Sequence, residues 1–308
     1  MTDPVTPSPA ATLVLLRDRA PAGVEALLIQ RHAKSKFAAG DHVFAGGKVE
    51  PEDSAADVER LCRGLTAEEA AARLAHSEGV APLRNLPPGQ DCAREAGART
   101  ASLPSYEGFS DALPGDGPAL RNAVGYWVGA IREAFEEVGI LLAYTPDGEL
   151  VRFTRDNRER FAAHREACQA SNQAFFSMLR AEELTLATDR LTYFAHWVTP
   201  EENPIRFDTR FFAAVAPPGQ EATADGREIV ALRWLSPAEA LEALRRQEIS
   251  LRFPTIKNLE IIGAGRAGAT AAELVASLAG HPVLTIRPRI LLVEGRPVAV
   301  LPGDPRWY

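Results

Sequence analysis

Residues 127–139, WVGAIREAFEEVG, constrain this chain more than any other stretch. On a helical wheel at about 100° per residue, Glu133, Glu136 and Glu137 fall within an arc of about 100°. Trp127, Ile131, Ala134, Phe135 and Val138 gather on a separate arc. The segment therefore reads as a helix with one side to bury and one side carrying three acids. Gly139 is a natural terminator, because glycine takes the left-handed conformation that closes a helix. The acid side is electrostatically costly. Like charges at i,i+3 and i,i+4 repel by roughly 0.2–0.5 kcal/mol per pair, and all three acids sit near the negative end of the helix. Arg132 offsets only part of this. A bound divalent cation reverses the sign of each of these effects, and hard oxygen donors suit Mg²⁺ or Mn²⁺. Three glutamates alone also suit a solvated face. The double-glycine segment upstream, together with the string 132–140, favours the metal.

The 308 residues carry 46% apolar side chains and suit a globular chain of one or two domains. Strands are expected at 12–17 and 24–31, joined through Pro21 and Gly23. A basic loop with Arg31, His32, Lys34 and Lys36 follows, then a short strand over 43–50 that breaks at Gly46 and Gly47. Residues 54–118 contain one capping box, Thr66 to Glu69, and then many prolines and glycines, so they read as an insertion. Helices are expected at 119–138 and 156–184, and strands at 192–198, 207–215 and 229–235. A second capping box, Ser236 to Glu239, opens a helix to about 247. Two helices near 254–262 and 270–279 and a hairpin over 289–301 end the chain. Residues 1–10 read as a flexible tail, 11–250 as the main domain and 251–308 as an extension packed on it.

The net charge of −7 speaks against a general nucleic-acid binder, which needs a basic excess. Three scattered cysteines form no CxxC pair and suit a reducing cytoplasm. No apolar run reaches the length of a membrane helix, the first ten residues lack the basic start of a signal peptide, and the last three are not a peroxisomal tripeptide.

Arg132-Glu133-Ala134-Phe135-Glu136-Glu137-Val138-Gly139-Ile140 resembles the second half of the Nudix hydrolase box, G-x5-E-x7-R-E-U-x-E-E-x-G-U, with Ala134 at the first aliphatic position. Its first half is similar to Gly46-Gly47 through Glu52-Asp53, with Asp53 where the family has Glu and Glu52 beside it. The gap to Arg132 holds 131 − 53 = 78 residues instead of seven. Such a split box resembles the coenzyme A diphosphatase branch. Segments around 28–37, 196–200, 206–212 and 301–304 extend the likeness to nearly the whole chain.

The resemblance implies an α/β/α sandwich with a mixed sheet, a metal-dependent pyrophosphohydrolase, and a nucleoside diphosphate derivative as substrate. Coenzyme A or acyl-coenzyme A leads, with ADP-ribose or NAD(H) as the alternative and a non-catalytic nucleotide sensor as a further one. Arg132, Glu133, Glu136 and Glu137 are the implied catalytic residues, and the three glutamates the ligands of Mg²⁺ or Mn²⁺. Arg132 orients the acids. Gly46, Gly47, Arg31, Lys36, Arg206 and Arg210 are the candidates for substrate binding, and the arginines and lysines equally suit ordinary surface charge. Glu201, Glu202, Asp208 and Glu228 are candidates for a general base. The insertion either shapes the pocket or mediates a homodimer. Gly263, Gly265 and Gly268 match G-x-G-x-x-G, but the preceding residues are helix-like and no acid follows about 20 residues on, so a dinucleotide-binding oxidoreductase is the weaker reading.

Overall fold

Strand β1 (Ser8–Asp18) organises the computed structural model, which describes residues 5–301 except 22, 36, 76–122, 280 and 294. It runs parallel to β8 (Phe207–Val215), in register from Ser8 opposite Phe207 to Leu16 opposite Val215. β7 (Thr192–Val198) pairs antiparallel with β8, and β10 (Thr285–Ile286) pairs parallel with β7. On its other edge β1 takes two partners in succession. Leu16–Asp18 bond β2 (Val24–Arg31), whereas Ala10–Leu13 bond β4 (Ala45–Lys48). β2 bonds β3 (His42–Val43) at Ile29 and Gln30, and β9 (Ile229–Leu235) along its other edge. Residues 42–48, with both glycines, thus fill the gap where β1 and β2 part. A Cβ on Gly46 would sit 2.5 Å from the Ala11 carbonyl oxygen, so only glycine fits there.

Both faces of this mixed sheet are buried, and its strands are accordingly apolar on both sides. Leu13, Leu15, Leu27, Ile29 and Phe212 face one core; Val14, Leu16, Ala26, Leu28 and Phe211 face the other. The first core is covered by α2 (Val124–Val138), α3 (Arg158–Ala170) and α4 (Asn172–Ala181), with α1 (Ala67–Ala75) contributing Ala70 and Leu74. The second is covered by α5 (Pro237–Arg245), α6 (Phe253–Gly263) and α7 (Ala271–Leu278) through Ala240, Leu259, Ile262, Leu274 and Leu278. The chain is a three-layer α/β/α sandwich. The segment after residue 250 supplies most of one layer. No helix among the described residues is long and apolar enough to cross a membrane.

β2, β7, β8 and β9 occupy the expected residues, and both capping boxes form, Glu69 N–H to Thr66 Oγ1 at 3.1 Å and Glu239 N–H to Ser236 Oγ at 3.3 Å. The differences have local causes. Residues 8–10, assigned to the tail, belong to β1. Pro9 is tolerated because it bonds through its carbonyl, which accepts from Val49 N–H at 3.0 Å. The helix expected over 156–184 is two. Ser171 breaks it with extended backbone, φ −160° and ψ 124°, and the turn lets Phe175, Phe176 and Leu179 reach the core beside Phe161. The short strands β5 (Ala143–Tyr144), β6 (Thr185–Leu186) and β10 carried too few residues to show a period. The 289–301 hairpin forms as β11 (Arg289–Val293) and β12 (Arg296–Val300). Most of the 54–118 insertion lies outside the described residues.

The glycine triplet at 263–268 links α6 to α7. A Cβ on Gly265 would lie 2.5 Å from Leu274 Cδ1, so that glycine serves helix packing. A second close approach brings the ends of the insertion together. The turn Pro51–Ser54 lies against Gly125 and Gly129, one helical turn apart on α2. A Cβ on Gly125 would overlap Ser54 Oγ and come within 3.3 Å of the Asp53 carbonyl oxygen; one on Gly129 would meet Asp53 Oδ2 at 3.1 Å. Gly125→Ala therefore sets a helix-propensity gain of up to about 1 kcal/mol against an overpacking cost of about 1–3 kcal/mol. Urea denaturation should show a net loss of stability; an unchanged or higher midpoint would show that the turn does not pack here.

Candidate active site

Arg132 projects from the middle of α2 into the gap between helix and turn and is 1% exposed. Its guanidinium has five N–H groups, and all five find acceptors. Nε and Nη2 form a fork on Asp53, to Oδ1 at 2.9 Å and Oδ2 at 3.0 Å. Nη1 reaches Glu133 Oε1 and Glu136 Oε2, both at 3.0 Å, and Nη2 also reaches the Lys48 carbonyl at 2.8 Å. Asp53 accepts Glu50 N–H at 2.9 Å as well. Asp53, not Glu52, is thus the acid that joins the two halves of the box, across 78 intervening residues.

Glu137 lies one turn beyond Glu133 on the same helix face. Its Oε2 accepts Gly46 N–H at 2.9 Å, and its Oε1 faces Arg31 Nη1 at 3.4 Å. Arg31 reaches on to Glu228 Oε2 at 3.2 Å. Glu133 lies over Gly47, where a Cβ would be 2.5 Å from its carboxyl carbon. The two glycines therefore do different work: Gly47 makes room for a carboxylate, and Gly46 aims one with its N–H.

Four carboxylates here face two guanidiniums. Burial pushes Glu136 up to about 8, helped by Glu133 and Asp53 and opposed by Arg132. Burial and the charge of Glu133 raise Glu137 well above the ordinary glutamate range, against the Gly46 N–H and Arg31. Burial raises Glu133 too. Arg132 stays firmly charged, because the acids around it outweigh its burial. Glu136 Oε1 is buried with no hydrogen-bond partner among the described residues. An orphaned carboxylate oxygen beside an excess of buried negative charge is a donor set that fits a hard cation. As the side chains stand, no three His, Cys, Asp or Glu groups among the described residues converge closely enough to enclose an ion.

Two of the residues expected to bind substrate have other work. Arg206 is 5% exposed and donates to the carbonyls of Thr199 at 3.1 Å and Val5 at 2.6 Å, tying the N-terminal segment to the start of β8. Arg210 is equally buried and bonds Asp208 at 2.7 Å and the Tyr126 hydroxyl at 3.0 Å. Tyr126 lies in the first turn of α2, about 10 Å along the helix from Glu133. Asp208 also bonds His196. That bond, with the charges of His196 and Arg210, overcomes the effect of burial and holds the carboxyl at about 2. Arg31 touches the acids instead of standing free for phosphate, and Lys36 lies outside the described residues.

Sequence reasoning missed how the carboxyl end of α2 is held. Arg165 of α3 donates Nε to the Glu136 carbonyl at 3.1 Å and Nη2 to that of Glu137 at 2.8 Å. Gln169 adds a bond to the Glu136 carbonyl at 2.9 Å. A cation and an amide thus satisfy carbonyls that a helix end leaves orphaned. The spacing of Arg165 and Gln169 marks one face of α3, but nothing in the string tells which helix that face meets.

A mixed-sheet α/β/α sandwich that sets an Arg-Glu-x-x-Glu-Glu helix against a double-glycine strand is a Nudix-type protein. Residues 8–262 match the family described as the NUDT19 Nudix domain, and the chain belongs to that family. It is 29% identical over 267 residues to the acyl-coenzyme A diphosphatase NUDT19 of Gallus gallus, a match covering 78% of this chain and 61% of that protein. Against the protein of the same name from Homo sapiens the identity is 26% over 289 residues, covering 92% and 72%. The chain thus spans about three fifths of the length of the Gallus gallus relative. A NUDIX hydrolase from Alicyclobacillus acidocaldarius shares the fold, with a TM-score of 0.56 and 24% identity over 85% of this chain and 93% of that one.

The raised Glu136 has a consequence for stability. In the fold it keeps its proton up to about pH 8; in the unfolded chain it loses it near 4.5. Between those values the folded state holds the extra proton, so raising the pH favours unfolding. In chelator-treated protein, urea denaturation should show stability falling from about pH 4.5 to about pH 8, and millimolar Mg²⁺ should restore it at the upper end. A flat or rising profile in chelator would contradict the electrostatics described.

Proposed function

We propose that this chain is a pyrophosphohydrolase that cleaves the diphosphate of coenzyme A or an acyl-coenzyme A, yielding 3′,5′-ADP and (acyl-)phosphopantetheine. The observation that carries the reaction class is the buried excess of carboxylate around Arg132, set against the two glycines. The substrate rests on the names of the relatives and on the split box. Glu133, Glu136 and Glu137 would hold Mg²⁺ or Mn²⁺. When bound, such an ion neutralises charge on the phosphate oxygens and acidifies a water.

The protein's own part is positioning. Arg132 keeps Glu133 and Glu136 from splaying apart by bonding one oxygen of each and leaving the others for a ligand. The Gly46 N–H fixes one oxygen of Glu137. Among the candidate bases, Asp208 is committed to His196 and Arg210, and Glu201 to Arg287 at 2.8 Å. Glu228 is the one joined to the acid cluster, through Arg31, and it is well exposed. Three main-chain N–H groups, of Arg227, Glu228 and Ile229, bond Asp225 Oδ1 at 2.8–3.1 Å and hold the turn that presents it. Glu228 is therefore our candidate for the group that takes the proton of the attacking water. The protein acts in the cytoplasm on this reading.

A panel assay over coenzyme A, acetyl-coenzyme A, ADP-ribose and NADH with Mg²⁺ and Mn²⁺ tests the substrate. Coenzyme A or its acetyl ester should give the highest kcat/KM; preference for ADP-ribose would move the substrate and leave the chemistry. Glu137→Gln should lower kcat by at least roughly 10²-fold while the fold persists. Near-native turnover in that variant would overturn the site, and no cleavage of any substrate into two phosphomonoesters would favour a sensor.

A further inference from the structure

The carboxyl end of α2 opens into a cavity of about 360 Å³ that neither the fold nor the proposed chemistry uses. One wall is the face of α3 carrying Arg158, Phe161 and Arg165; the other is the strap 219–227. Half-buried Phe153 gives it an aromatic floor, backed by the core residue Phe161 with ring centroids 5.0 Å apart. Arg158 faces it with no ion-pair partner among the described residues. Arg227 is only loosely paired, at 3.8 Å from Glu166. The remaining acids are Asp225, whose oxygens accept main-chain N–H groups, and the rim residue Glu221.

We propose that this cavity is a second ligand site, taking one nucleoside monophosphate with its base against Phe153 and its phosphate on Arg158 and Arg227. The size lies at the low end of the roughly 300–1,000 Å³ of small-molecule sites, which suits a mononucleotide. A flat ring answers the aromatic floor, and guanidiniums grip phosphate through paired N–H groups. The position makes occupancy matter to the acid cluster. Arg165, in the wall, holds the carbonyls of Glu136 and Glu137 and also bonds Thr223 Oγ1 at 2.8 Å and the Thr223 carbonyl at 2.9 Å. The strap is pinned to the helix end by Thr223 N–H on the Val138 carbonyl at 2.9 Å, and it runs directly into Glu228. A ligand between strap and helix therefore tightens the segment that presents Glu228. This inference needs no assumption about the substrate.

Isothermal titration of the full chain with AMP in chelator tests it, because the acid cluster without a cation repels phosphate. Wild type should bind one AMP, and bind adenosine alone or inorganic phosphate alone at least tenfold more weakly. The exposed double variant Arg158→Ala/Arg227→Ala, outside the acid cluster, should weaken AMP at least tenfold. Phe153→Leu should bring AMP down to the affinity of phosphate. Saturating AMP should slow amide hydrogen exchange over residues 219–228 in wild type and not in the double variant. No AMP binding, or undiminished binding by the double variant, overturns the proposal.

Discussion

One guanidinium holds the two halves of this protein's chemistry together. Arg132 spends all five of its N–H groups on Asp53, Glu133, Glu136 and the Lys48 carbonyl. The turn at 51–54 and the glycine strand just before it meet the acid helix, distant in sequence, around this guanidinium. Breaking a buried pair of this kind costs about 3–5 kcal/mol, because the stranded charges stay buried. The glycines of α2 serve the same joint. Without the flat surface at Gly125 and Gly129, Asp53 could not come close enough for a fork.

That joint does not neutralise its surroundings. Arg132 and Arg31 leave more negative than positive charge in a buried region, and the acids answer by holding protons more tightly. A protein optimised only for stability would replace such a cluster with apolar side chains. A cluster of this kind costs the fold stability, and its donor set fits a hard cation.

The sequence revealed elements whose period was long enough to read. β2, β7, β8 and β9 alternate or run apolar over seven residues or more, and α2 separates an apolar arc from an acid arc. The break at Ser171 was hidden, since Phe161, Cys168 and Phe175 keep a helical spacing across it. The acid cluster was legible because its members are adjacent in the string. The work of Arg206 and Arg210 was not: an arginine beside a strand looks the same whether it meets phosphate or the carbonyls of Thr199 and Val5. Asp53 fell between the two cases. Counting from Gly47 located it, but only the tertiary fork from Arg132 distinguished it from Glu52. The grip of Arg165 on the helix end depends wholly on tertiary structure.

The pairing of β1 with β8 bears on how the molecule is made. Ser8 waits for Phe207, a separation of 207 − 8 = 199 residues. At a synthesis rate of about 5–20 residues per second, that strand edge stays unpaired on the ribosome for roughly 10–40 s. Its apolar run, Leu13 to Leu16, is then an open template for any passing strand. Slower elongation lengthens that interval, so wrong pairing at this edge should rise as synthesis slows.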